Sequence, residues 1–186
     1  SNKVVINLSY HTFRDPENVK QVVLHPYLLK QYNNRWYLLG AAEDGYILNF
    51  ALDRIDDIEP MPSVKYMESE EGLEERFYDI VGGTLPKDTD VEKILLWVSE
   101  AQYPYIETKP LHGSQRAIRG SRAEQLHNEY GFSDGHFIEI RCIVNTELKQ
   151  LIASFIDQVV VLTPTSLRNE MAERVEALLK RYNSRI

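Results

Sequence analysis

Apolar and polar positions alternate through the first sixty residues. In Val4–Phe13, the side chains of Ile6, Leu8 and Tyr10 fall on one face and those of Asn7 and Ser9 on the other, the period of a half-buried strand. Asp15-Pro16-Glu17-Asn18 carries turn chemistry and Val19–His25 resumes strand-like residues, so a hairpin is expected. Pro26 has no N–H to donate and should interrupt the ladder before Tyr27–Tyr32. Asn33-Asn34 and Asp44-Gly45 are turn signals that separate Arg35–Gly40 from Tyr46–Leu52. Five short strands joined by tight turns, with no long helix, predict a small closed barrel, because closure removes exposed edges. Pro60 and Pro62 mark its exit.

The rhythm then changes. Val91–Val98 is an apolar strand, and Ala101–Lys109 reads equally as a short helix or an irregular connector. Ser133-Asp134-Gly135 turns into His136–Val144, where Ile138, Ile140, Cys142 and Val144 alternate with Glu139 and Arg141. Asn145 is suited to cap a helix whose face is Leu148, Leu151, Ile152 and Phe155. Gln158–Leu162 is another strand. After Pro164, Thr165 or Ser166 should cap a last helix with the stripe Leu167, Met171, Val175, Leu178 and Tyr182. The pairs Glu170–Arg174 and Glu176–Lys180 support that helix. The expectation is an α+β chain, with a barrel over 1–62 followed by an α/β sandwich over 77–186 that carries its helices on one face.

Charge refines this division. The 186 residues hold 21 basic and 28 acidic side chains, a net charge of −7, which argues against a whole-surface nucleic-acid binder. Residues 63–90 alone carry eight acids against three bases, centred on Glu68–Glu75, so 63–76 reads as an acidic linker or a solvated face. From Lys109 to Ala123 there is no acid. Lys109, Arg116, Arg119 and Arg122 make this a candidate anion site or interface, and the arginine spacing would put the three on one side of a helical turn; solvated loop arginines are the competing reading.

Catalytic chemistry is absent from the pattern. The one cysteine, Cys142, rules out an internal disulfide and sits on the apolar side of its strand as an inert thiol. Five histidines show no metal-binding spacing, one Glu124-x-x-His127 does not make a di-metal site, and Gly82-Gly83-Thr84 lacks the lysine of a phosphate loop. No metal, cofactor or catalytic residue is expected. With no signal peptide and no apolar run of bilayer length, the cytoplasm is the expected compartment.

Three segments occur in order: His25-Pro26-Tyr27, Trp36-Tyr37-Leu38 and Leu52-Asp53-Arg54-Ile55. This set resembles the WYL domain of bacterial transcriptional regulators over roughly residues 3–60. Lys109–Gln115, Asn145–Leu148 and Pro164–Arg168 resemble the WCX extension that follows WYL in the same proteins. The resemblance implies an Sm-like barrel that binds an effector, in some members a nucleotide or single-stranded nucleic acid, ahead of a ferredoxin-like α/β sandwich. It implies a homodimer and a separate winged helix-turn-helix that reads promoter DNA; with Ser1-Asn2 read as an expression scar, the chain is expected to be a sensor fragment of a longer regulator. Tyr10, His25, Tyr27 and Arg54 stand where the family has pocket residues. Leu48 and Ala51 stand where it often has arginines, which weakens the case for a highly charged polynucleotide. Each pocket residue also has a structural reading: Tyr10 and Tyr27 as core, His25 as a satisfied histidine, and Arg54 as a salt bridge to Asp53 or Asp56. A standalone single-stranded nucleic-acid binder is the alternative function.

Overall fold

Turn chemistry folds the first unit into five strands. The computed structural model describes residues 3–69, 73–86 and 88–184; Glu70, Glu71 and Gly72 of the acidic stretch lie outside them. The strands are β1 (Val5–Thr12), β2 (Asp15–Tyr32), β3 (Arg35–Ala41), β4 (Ile47–Ala51) and β5 (Ile55–Met61). Asn33 and Asn34 both take positive φ, 49° and 63°, as a two-residue hairpin turn requires. Asp15–Asn18 is not a turn: Thr12 pairs with Asp15, so Phe13-Arg14 makes the corner. Nor does Pro26 divide β2. The strand runs 18 residues, and Pro26 sits where it leaves the β1 ladder, which ends at Ile6–Leu24, and joins β3. A register shift between Pro26 and Leu28 makes room for a residue that cannot donate.

The strand order is β4-β3-β2-β1-β5, with Leu8, Leu24, Leu38 and Phe50 packed together as core. Among the described residues β4 and β5 share no ladder, so the expected closed barrel is corrected to an open sheet. The sheet is nonetheless strongly curled. Only the 3₁₀ turn Leu52–Arg54 joins its two edge strands, whereas four inter-strand spacings in a flat sheet would separate them by about 19 Å. The edge strand β5 carries Asp56, Asp57, Glu59 and Pro60, which discourage pairing with another chain.

The compact units interleave in sequence: the first includes the chain to Phe77 and Gly82–Leu85, the second Tyr78–Val81 and everything from Pro86. The described part of the expected linker belongs to the first unit. Tyr66 Oη donates to Pro26 O at 2.6 Å, and Leu73, which opens the short helix α1 (Leu73–Arg76), and Phe77, which follows it, are both buried.

The second unit contains β6 (Glu92–Val98), α2 (Tyr103–Thr108), β7 (Arg116–Ile118), α3 (Ser121–Tyr130), β8 (His136–Cys142), α4 (Thr146–Ala153), β9 (Val159–Thr163) and α5 (Thr165–Asn183). Its sheet has the order β7-β8-β6-β9 and is antiparallel throughout. The open choice over Ala101–Lys109 resolves as a helix, with Pro104 in its first turn where a missing N–H costs nothing. Asn145 caps α4 as expected, accepting from Leu148 N at 2.9 Å. Neither Thr165 nor Ser166 caps α5: the cap position is Pro164, without a side-chain bond. Placing the helices on one face is also corrected. Ile94, Leu95, Leu96, Trp97 and Val98 are all buried, so both faces of β6 are covered; α3 packs Leu126 on the Leu95–Trp97 face. Among the described residues no helix is long and apolar enough to cross a membrane.

Candidate functional site

Register decides which of the expected pocket residues meet. Tyr10 pairs with Ile55, which puts Arg54 beside it at the end of the 3₁₀ turn. The Arg54 guanidinium stands 5.2 Å from the Tyr10 ring centre and 4.9 Å from that of Phe13, an aromatic that is 65% exposed. Arg35 flanks Phe13 at 5.4 Å. Two cations and two aromatic faces thus occupy one end of the sheet.

Arg54 is not the strand-end salt bridge. Asp53 pairs with Arg35 (Nε–Oδ2 3.1 Å) and Asp56 with His11 (2.9 Å). The Arg54 Nε is buried and has no hydrogen-bond partner among the described residues.

Tyr10 also connects this cluster to a groove of about 430 Å³. Lys20, Val22, Leu48, Asn49 and Phe50 line it, together with the returning segment Gly83–Leu85. Asn49 Nδ2 fixes that segment by donating to Gly83 O at 3.0 Å and Thr84 Oγ1 at 3.2 Å. The Tyr10 ring meets Phe50 edge-on at 4.9 Å. Burial raises the Tyr10 phenol above its ordinary pKa, and Arg54 opposes part of that rise. The phenol therefore stays protonated at neutral pH and can donate a hydrogen bond.

His25 and Tyr27 belong elsewhere. Tyr10 pairs with Lys20, and five residues along a strand place His25 about 16 Å further on. His25 is buried, accepts from Met67 N–H at 3.0 Å through Nδ1, and meets the Tyr66 ring edge-on. Tyr27 also meets the Tyr66 ring edge-on, and its hydroxyl reaches Glu68 O at 3.4 Å. These two residues hold residues 66–68 on the sheet.

The family tripeptide divides its work between faces. Leu38 is core, Trp36 on the same face is 47% exposed, and Tyr37 on the other face contacts the space beside Gly83.

The basic stretch does not form one helical face. Arg116 lies in β7, Arg119 precedes Gly120, and Arg122 is in α3. Arg119 donates to Glu107 Oε1 at 2.9 Å, Arg122 to Gln125 Oε1 at 3.4 Å, and Lys109 terminates α2. In the neighbouring motif, His112 contacts Tyr78 O at 2.8 Å and Ser114 Oγ at 2.7 Å, while Ser114 Oγ accepts from Arg141 N at 2.7 Å. These contacts tie a loop to the sheet.

Burial pushes the Cys142 thiol up to about 12, so it is un-ionised at neutral pH. Among the described residues no group of three or more His, Cys, Asp or Glu is placed to hold a metal ion.

Sequence reasoning missed Phe13, Arg35, Lys20, Asn49 and Gly83–Leu85. Only Phe13 carried a signal, as a large aromatic at the end of the first alternating segment.

The WYL domain family matches residues 1–60 and the WCX domain family residues 90–179. Among curated proteins none matches the sequence. A solved structure of a CRISPR Cas-related protein is similar at 12% identity with a TM-score of 0.53, over 98% of this chain and 48% of that one. The proteasome accessory factor B/C (PafBC) of Arthrobacter aurescens is similar at 17% identity with a TM-score of 0.35, over 98% of this chain and 26% of that one. The chain therefore spans about half and about a quarter of these proteins, and at such identities the first likeness speaks for the fold alone. The two successive matches show that this chain carries a WYL domain followed by a WCX domain.

Proposed function

We propose that this chain is the effector-sensing region of a bacterial transcriptional regulator, acting in the cytoplasm and controlling a separate DNA-binding domain. The observation that carries the reading is Arg54, with a buried Nε lacking a partner and its guanidinium between Tyr10 and the exposed Phe13, beside a groove. Aromatic faces and cations at that spacing suit a planar base attached to a phosphate. The effector is thus a nucleotide or a short single strand, with its base against Phe13 or Tyr10 and its phosphate at Arg54 or Lys20. We read the first unit as an Sm-like barrel opened between β4 and β5. The second is a ferredoxin-like sheet with α3 inserted between β7 and β8. No reaction is part of this account.

A standalone single-stranded nucleic-acid binder is the second reading, favoured by the exposure of Phe13 and Trp36 on the same unit. Thermal-shift assays with mononucleotides, short single strands and the matching duplexes test the site. Stabilisation by the first or second class, and none by duplex, is expected. Stabilisation by duplex alone would contradict it. Affinity that falls steeply with salt assigns a polynucleotide over a small anion, since each phosphate contact releases counterions.

A further inference from the structure

Between Phe77 and Pro86 the chain passes from one compact unit to the other three times: Phe77 belongs to the first, Tyr78–Val81 to the second, Gly82–Leu85 to the first again, and Pro86 onward to the second. Each stretch is fastened where it lies. In the first unit Lys30 Nζ donates to Phe77 O at 2.8 Å. In the second, Tyr78 O meets His112 Nε2 at 2.8 Å, Asp79 O accepts from Ile143 N at 2.7 Å, Ile80 bridges Ile143, and Val81 O accepts from Asn145 Nδ2 at 2.7 Å. Back in the first, Gly83 O and Thr84 Oγ1 accept from Asn49 Nδ2. Phe77, Ile80 and Val81 are buried. Ordinary connections run over the surface and are loosely held; this one is bonded along its length.

Gly82 alone separates the Asn145 clasp on Val81 from the Asn49 clasp on Gly83, and its φ is 81°. A single left-handed residue gives little slack. A displacement of Gly83 is either absorbed in the torsions of Gly82, which glycine alone adopts freely at this φ, or passed on to Val81 O. Both ends of the link have work. Gly83, Thr84 and Leu85 form part of the wall of the groove beside Tyr10. Asn145, whose Nδ2 holds Val81 O, also caps α4 by accepting from Leu148 N through Oδ1. One side chain of the second unit thus carries both the strap and the start of a helix.

We propose that Phe77–Leu85 is a strap that couples the groove wall of the first unit to the start of α4 in the second, with Asn49 and Asn145 as its clasps and Gly82 as the short link. The use of this device rests on the reading of the groove as an effector site; its mechanics rest on the strap's own bonds. A ligand that keeps Gly83–Leu85 in place holds Val81 O on Asn145 and α4 capped, and loss of the Asn49 clasp frees the wall and loosens both. Such coupling is reciprocal. Asn49 is a positioning residue, acting through the backbone that it holds.

Residue-resolved amide exchange, followed by NMR on the full chain, tests the mechanics without a ligand. The Ile143 amide, which donates to Asp79 O, and the Leu148 amide, which donates to Asn145 Oδ1, report on the second unit. Asn49→Ala should speed exchange at both by at least roughly tenfold while the amides of β6 exchange as before, the signature of a local opening. Asn49→Asp, which keeps the shape of the side chain and removes its donor, should do the same. Two glycines inserted after Gly82 leave both clasps and add slack, so in that background neither substitution should change Ile143 or Leu148. Acceleration confined to the first unit, equal acceleration across β6, or an effect that survives the insertion overturns the proposal. Mononucleotides and short single strands separate it from the effector reading. A ligand that binds should slow exchange at Ile143 and Leu148 in the wild type and not in the insertion variant; binding without that slowing overturns the coupling and leaves the effector site standing. No binding by any of them, with the response to Asn49→Ala intact, supports the strap and removes the effector reading.

Discussion

The guanidinium of Arg54 lies 4.9 Å from the ring centre of Phe13, a contact between residues 41 positions apart in sequence. Both sit at a corner: Phe13 between β1 and β2, Arg54 at the end of the turn that carries the chain from one edge of the sheet to the other. The curl of the sheet brings the corners together. The Arg54 Nε is buried and finds no hydrogen-bond acceptor among the described residues.

Arg54→Ala should leave the fold nearly unchanged. Two cation–π contacts of a partly exposed arginine contribute about 1 kcal/mol together, and removal of an unpartnered Nε offsets part of that. A small change in the unfolding midpoint is expected in thermal melts. Arg54→Lys should behave like the alanine variant in ligand binding, because an ammonium lacks the planar fork. Global unfolding of Arg54→Ala would make the residue structural and remove it from the site.

Gly40 is closed to any side chain. A Cβ there would press against His25 O and approach Leu24 Cγ to 2.9 Å, and Gly40 faces Pro26 across the β2–β3 ladder. Gly40→Ala should therefore cost about 1–3 kcal/mol, the range of an overpacked core. Denaturant unfolding measures it, and an unperturbed midpoint would contradict this packing.

Asn145 does two jobs while buried. Its Oδ1 accepts from Leu148 N at 2.9 Å and its Nδ2 donates to Val81 O at 2.7 Å. Asn145→Asp keeps the cap and loses the donor; Asn145→Ala loses both. The alanine variant should be destabilised by about 2–3 kcal/mol, the sum of a lost cap and an orphaned buried carbonyl. Chemical denaturation of both variants tests the assignment, with Asn145→Asp expected to retain more of the α4 helix signal.

Glu170 sets an acid limit on one edge of the second unit. The Lys149 hydrogen bond, then the one from Arg174, hold its carboxyl below the ordinary carboxylate pKa. A lowered folded pKa means that the stabilisation is complete above the unfolded value and fades as pH falls through the folded one. Melts of wild type and Glu170→Gln should differ at neutral pH and converge on acidification. A gap that stays constant down to low pH would contradict the ion pairs.

Much of this architecture was legible in the sequence, because alternation, paired asparagines and the Asn145 cap act locally. Strands of both units and the helix after Asn145 follow from those signals. What failed was non-local. Pro26 could remain in β2 only because its two neighbours take over from one another at that point, a fact of pairing rather than of composition. Helix α3 escaped notice because Leu126 is its one buried residue, and its boundaries rest on Gly120 and Gly131 at positive φ. The site was half legible. Tyr10 and Arg54 meet, whereas His25 and Tyr27, near in motif, are a long way along the strand and bind residues 66–68. Phe13 and Arg35 joined the site through the curl of the sheet, which no periodicity encodes.

Isothermal titration of the full chain with mononucleotides and short single strands, wild type against Arg54→Ala, tests the central claim most directly. The account predicts saturable binding by at least one of these ligands, and at least a roughly tenfold loss in the variant, about 1.4 kcal/mol, at an unchanged melting temperature. Absence of saturable binding by all of them, or equal affinity in the two proteins, would contradict it.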